Sequence, residues 1–463
     1  MNIGKKLLPV LAAALLLAAG RACALELSAG TVVPFAENRI TVHAEAAGSL
    51  TVTPAMTDFS CLNAAENLPV EAGDTEILWD GLTWHGEPLP PGMITLNAAL
   101  TLPSGEVSEA SVRVRVDRPL CAAVSCLPGA DSFCPAKGDL RIECGLSRGG
   151  NVKLEIASAE EPGKVLRVIT GHAQDNVPVQ LRWNGRDQGR HRLPAGEYLL
   201  TALTEACPDR RITASVILSD EPVSKPDVFV TGEILPADPE DDEAVWAILT
   251  SPSVVGVGAE GRGLYIMKAQ KYAPAGSISA RTVAVRVLEI AEKGWCRVAA
   301  WRQGVGEYVE GWVRRASLTV IAPRLHYGAL INKKQQTLTV YRDGNRLGTL
   351  RISTGLQSSE NPLATTPPGV YLIGSRISDF RNSGFHYDYP IRLHGGYLLH
   401  TVGYKTRDDA RIYTEELNLL GSPASHGCIR MDIRPPEDGS GLNAWWVWTH
   451  LPRDTRVIVV EGE

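Results

Sequence analysis

Apolar and polar residues alternate with a period of about two through segments such as Ile94 to Leu100 and Tyr198 to Leu203, the spacing of half-buried β-strands. Turn residues bound these runs, and the chain carries 44 Gly and 30 Pro, which favours short strands joined by turns over long helices. From about Leu325 onwards the pattern predicts further strands: Leu330–Asn332, Thr337–Tyr341, Arg351–Gly355, Val370–Ile373, Gly395–His400 and Thr455–Val460. Leu442 to Leu451 is the one good helical stretch in that part. A chain of 463 residues is too long for one ordinary core, so the expected fold class is mainly β and multi-domain.

A repeat organises the front half. Trp79-Asp80-Gly81 is followed by Leu89-Pro90-Pro91-Gly92, and Trp183-Asn184-Gly185 by Leu193-Pro194-Ala195-Gly196. The spacing from Trp79 to Gly92 equals that from Trp183 to Gly196. The pattern resembles the Ig-like sandwich repeat of flagellar-hook-capping and related surface proteins. It implies two sandwiches, at 25–118 and 145–219, joined by a cysteine-rich connector at 119–144. Residues 220–242 are acidic and Pro-containing, the composition of a linker. The short strands of 243–322, with Gly294-Trp295-Cys296 and Gly311-Trp312-Val313, resemble a bacterial SH3-type barrel, with Trp295 and Trp312 expected in its core.

Charge excludes one class of partner. The formal net charge of −6 gives no global basic field for nucleic acid or anionic membrane. Residues 1–24 read as an export signal: Lys5 and Lys6, an apolar run from Leu7 to Ala19, then Ala22-Cys23-Ala24 as a small-x-small cleavage site. That run is well short of the ~20 residues a spanning helix needs, and no other stretch could span a membrane. An extracytoplasmic location, in periplasm or cell wall, follows. Six of nine cysteines lie between Cys61 and Cys207, which for an exported chain suggests three disulfides of undetermined pairing. No spacing suits a zinc site.

Cys428 stands apart, in Ser425-His426-Gly427-Cys428-Ile429-Arg430-Met431. With a strand-ending His400, Ser353-Thr354-Gly355 and Thr366-Pro367-Pro368-Gly369 upstream, residues 325–463 resemble the L,D-transpeptidase catalytic domain (the YkuD-like family). The resemblance implies Cys428 as nucleophile and His400 as its base, oriented by the backbone of Thr401. A free thiol with a pKa of about 8.5 is mostly protonated at neutral pH, so it needs such a partner. Gly427 lets the backbone amides of His426, Gly427 and Cys428 approach a substrate carbonyl as an oxyanion hole. His426 is expected to shape the substrate pocket and Ser425 to support the turn. Arg430 either grips a substrate carboxylate or pairs with an acidic neighbour.

By the same resemblance the partners are peptidoglycan stem peptides, and the reaction needs neither metal nor organic cofactor. A transpeptidase, an L,D-carboxypeptidase on the same thioester, and a non-catalytic wall-binding scaffold all remain open. One departure from the family is the interval from His400 to Ser425, which is longer than the family's usual spacing. The surplus, around Lys405 to Glu416, is expected to form a surface excursion and a lid. Arg376, Arg381 and Arg392 are expected in solvent, and His386 and His394 within strands.

Overall fold

The structure, a computed structural model, describes residues 24–56, 64–83, 86–221, 235–260, 262–270, 273–302, 308–322, 324–357, 364–434, 436 and 438–462. The export signal with Cys23, the stretch containing Cys61, and most of the linker lie outside the described residues.

Two paired-sheet units form the front half. In the first, the three-stranded sheet Leu25–Ala29, Asn38–Ala44, Gly73–Trp79 accompanies a four-stranded one made by Ala65–Val70, Gly48–Ala55, Gly92–Thr101 and Val107–Val116. Alternate residues of these strands, among them Ile40, Val42, Leu50, Val52, Leu96 and Leu100, share one core. The second unit has the same plan, with Trp183, Leu154, Leu200 and Leu218 inside. The repeated motif folds alike in both. Trp79 Nε1 donates to Leu82 O and Trp183 Nε1 to Arg186 O, each at 3.1 Å. Gly81 (φ 69°) and Gly185 (φ 72°) take the left-handed conformation that glycine adopts at least cost.

The expected connector at 119–144 does not exist as a separate piece. Ala123–Pro128 and Leu140–Leu146 pair with each other and with Val179–Trp183, so this stretch supplies one sheet of the second unit. Its cysteines are core residues rather than staples. Cys121, Cys126, Cys134, Cys144 and Cys207 are buried free thiols, packed as small apolar side chains. The expected disulfides are therefore absent among the described residues.

The third unit pairs Ser253–Gly256 with Leu318–Ile321 beside a five-stranded sheet. Its core is Val254, Ile266, Ile278, Val298 and Val313. Trp295 and Trp312, expected in that core, are only half-buried, and the Arg314 guanidinium covers the Trp295 ring at 4.0 Å. The preceding helix Asp242–Leu249 belongs to the C-terminal domain's packing instead. Asp241 caps it by accepting from the amides of Glu243 and Ala244, and its Val245 and Leu249 pack on Leu330, Tyr341 and Ile458.

An eight-stranded mixed sheet forms the C-terminal domain, in the order Gly369–Leu372, Arg456–Val460, Tyr327–Asn332, Thr337–Arg342, Asn345–Ser353, Ile429–Met431, Tyr397–Thr401, Ile391–His394. The predicted helix is Ala444–His450, capped by Asn443, with Trp445 and Trp448 buried. Arg376 is not in solvent. It is fully buried, donating to Trp448 O, Leu451 O and the Glu143 carboxylate of the second unit. Arg381 is exposed, and Arg392 donates to Gly395 O. His386 and His394 lie in strands.

The surplus between His400 and Ser425 is folded and docked. Lys405–Arg407 and Ala410–Ile412 make a hairpin, followed by the short helix Thr414–Leu417. Val402, Tyr404, Tyr413, Leu417 and Leu420 form its own apolar cluster, joined by Met56 of the first unit. At the hairpin tip Asp409 O accepts from the Met93 amide at 3.0 Å. A side chain at Gly92 would put its Cβ 2.3 Å from that oxygen. Among the described residues no helix is long and apolar enough to cross a membrane.

Candidate active site

Cys428 follows a tight turn and leads into the strand Ile429–Met431. That strand runs parallel to Tyr397–Thr401, with Leu399 opposite Ile429 and His400 opposite Arg430. Parallel register thus brings the ends of two motifs, far apart in sequence, to the same place. Ser425 Oγ holds the turn by donating to Cys428 O (2.5 Å) and accepting from the Gly427 amide (3.0 Å). Thr366 Oγ1 donates to Gly427 O and accepts from the Gly355 amide, both at 2.9 Å. The Thr-Gly and Thr-Pro-Pro-Gly segments therefore brace the turn from behind. Gly427 sits at φ 121°, and a Cβ there would meet the Tyr397 ring at 2.5 Å. Only glycine fits both constraints.

His400 is buried, with Nδ1 2.7 Å from Thr401 O. A carbonyl only accepts, so Nδ1 carries the proton and Nε2 is left with the lone pair. The rings of Tyr387 (centroids 4.6 Å apart, 69° between planes) and Phe380 (5.4 Å, 90°) pack against the imidazole. Burial lowers the His400 pKa to about 4; the bond to Thr401 O opposes this and the Arg430 charge adds to it. Burial pushes the Cys428 thiol up, against the Leu398 amide and Arg430, which favour the thiolate. At neutral pH the two groups therefore rest as a neutral thiol and a neutral imidazole.

Several expectations change. The Gly427 amide, expected as an oxyanion donor, is already engaged by Ser425 Oγ. The His426 side chain is exposed. Arg430 does pair with an acidic neighbour: its guanidinium lies 3.1 Å from Glu416. Sequence reasoning missed Tyr387, Phe380, Tyr397 and Glu416. Only Glu416 left a trace, because Tyr413, Glu416, Leu417 and Leu420 recur at the spacing of one helical face. Among the described residues no group of three or more His, Cys, Asp or Glu could hold a metal ion.

The C-terminal stretch has relatives. Residues 326–459 match the YkuD family, the L,D-transpeptidase catalytic domain. The C-terminal domain is therefore a YkuD-type L,D-transpeptidase catalytic domain, a transferase family; the upstream units lie outside that match. A curated Bacillus subtilis protein, YciB, whose own L,D-transpeptidase assignment is provisional, is 28% identical over 134 residues. That stretch is 28% of this chain, and the chain spans 63% of the relative's length. Among solved structures, an L,D-transpeptidase from Xylanimonas cellulosilytica aligns over 29% of this chain and 60% of its own, at 21% identity and a TM-score of 0.20. One from Mycobacterium smegmatis aligns over 46% and 100%, at 16% identity and a TM-score of 0.23.

Proposed function

We propose that this protein is an exported L,D-transpeptidase that cross-links peptidoglycan through a thioester on Cys428. The observation that carries the reading is the fixed tautomer of His400: Thr401 O holds Nδ1–H, which leaves Nε2 as a base beside the thiol's strand. Cys428 attacks the carbonyl between the third residue of a tetrapeptide stem and the following D-alanine, and its proton passes to His400 Nε2. The amides of His426 and Cys428 hold the developing oxyanion, worth about 3 kcal/mol per donor in comparable acyl transfers. D-Alanine leaves with the proton from His400. The amine of a second stem then attacks the thioester, gives its proton to His400, and restores the Cys428 thiol. The N-terminal export signal supports a location in the periplasm or cell wall. The two Ig-like units and the SH3-type unit would hold the domain against the wall.

The test is mass spectrometry of the protein with tetrapeptide-stem muropeptides, alongside Cys428→Ala. D-Alanine release with a cross-linked dimer, both abolished by Cys428→Ala, is the expected result. Tripeptide without dimer would make the protein an L,D-carboxypeptidase. No release and no thioester would leave a wall-binding scaffold.

A further inference from the structure

Glu416 lies outside every motif and belongs to the insertion, yet it is 3% exposed and sits beneath the candidate site. Three donors converge on its two oxygens. Tyr387 Oη donates to Oε1 at 2.9 Å, the Arg430 guanidinium reaches the same atom at 3.1 Å, and the Gly403 amide donates to Oε2 at 2.8 Å. Only a carboxylate accepts from all three; an amide would turn its own donor toward one of them. Two of these donors lie next to the candidate reacting groups. The Tyr387 ring packs against the His400 ring at 69° with centroids 4.6 Å apart, and Arg430 stands opposite His400 in the backbone register of the parallel ladder, two residues beyond Cys428.

We propose that Glu416 is a positioning residue: by holding Tyr387 and Arg430 it sets the orientation of His400 and limits the positive field at Cys428. The proposal rests on Cys428 and His400 being nucleophile and base. The charged or titratable groups around that pair are Arg430 on the thiol's own strand, Tyr397 on the neighbouring strand, Tyr387 from Phe385–Tyr387, and Glu416 from the insertion helix. Arg430 favours the thiolate and disfavours protonated His400, so it stands as the cation whose charge Glu416 offsets. The insertion then acts as a support beneath the site rather than a lid above it.

The experiment is the rate of Cys428 alkylation by iodoacetamide against pH in the full chain, with kcat for muropeptide turnover measured in parallel. In Glu416→Gln the alkylation profile should shift to lower pH, because Arg430 acts unopposed, while kcat falls at least tenfold as His400 loses its brace. Glu416→Gln combined with Arg430→Gln should return the alkylation profile toward the parent without restoring kcat. An unchanged alkylation profile in Glu416→Gln, with only a lower melting temperature, would overturn the proposal and leave Glu416 a scaffold residue. Should Glu416→Gln not fold, Tyr387→Phe carries the test: kcat should drop severalfold with the alkylation profile unmoved, and an unchanged kcat would sink the idea. A parent protein whose Cys428 does not alkylate at all would instead refute the transpeptidase reading.

Discussion

Two buried arginine–glutamate pairs, Arg376–Glu143 and Arg430–Glu416, share a chemistry and differ in what surrounds them. Arg376 has no exposure, and its remaining donors end on the carbonyls that close the helix Ala444–His450. Nothing it touches reacts. Arg430 keeps a little solvent and lies beside His400 and Cys428, with its partner supplied by the insertion just upstream. One pair joins two domains; the other joins an insertion to the strand that follows Cys428. A buried ion pair thus carries no function by itself, and its neighbours decide.

The largest effect that separates the two comes from breaking the inter-domain pair. Glu143→Ala should destabilise the chain by about 3–5 kcal/mol, since it leaves Arg376 buried without a counter-charge. Urea unfolding followed by tryptophan fluorescence would read this, and alkylation of Cys428 in the folded fraction should stay at the parent rate. Replacing both partners, Glu143→Leu with Arg376→Met, should recover most of the loss. A double variant as unstable as the single one would mean that the carbonyl bonds of Arg376, not its charge pairing, hold the interface.

A third pair gives an intermediate, pH-dependent case. Asp388 pairs with Arg411, but Glu87 and Asp379 crowd the same place, so one arginine faces three carboxyls. Burial, then the charge of Asp388, raises Glu87 to about 8 and Asp379 to about 7. Both values exceed the unfolded ones of about 4, so the folded state binds more protons across that interval. Stability should therefore fall as pH rises from about 4 toward 8. Melting temperatures from pH 5 to 8 should decline in the parent and flatten in Glu87→Gln; a slope unaltered by that change would remove the cluster from the account. The smallest effect belongs to Arg115–Asp409, whose side chains are 60% and 69% exposed. Arg115→Ala should change stability by less than about 0.5 kcal/mol, because solvent screens such a pair.

What is local in this molecule is legible in its sequence. Trp79-Asp80-Gly81 and Trp183-Asn184-Gly185 are readable because an indole bonding to a carbonyl just ahead and a left-handed glycine need nothing distant. The strands around Cys428 and the helix Ala444–His450 show in their periodicity for the same reason. Arg376 reads as a surface residue because its partner, Glu143, lies in another domain, and no local pattern announces such a pairing. The stretch 119–144 reads as a connector because its cysteines draw attention away from its alternation. Glu416 shows in the helical spacing of its segment, but its partners do not, because its donors come from three separate segments.

The last glycines of the two repeat copies stand in different surroundings. Nothing lies within 4 Å of where a side chain would stand at Gly196, whereas Gly92 receives Asp409 O from the insertion. A substitution at Gly196 is limited by its own turn alone. Gly92 and the hairpin around Asp409 form one contact, so a chimera that exchanged the first unit for one with a side chain at position 92 would meet Asp409 O at the seam.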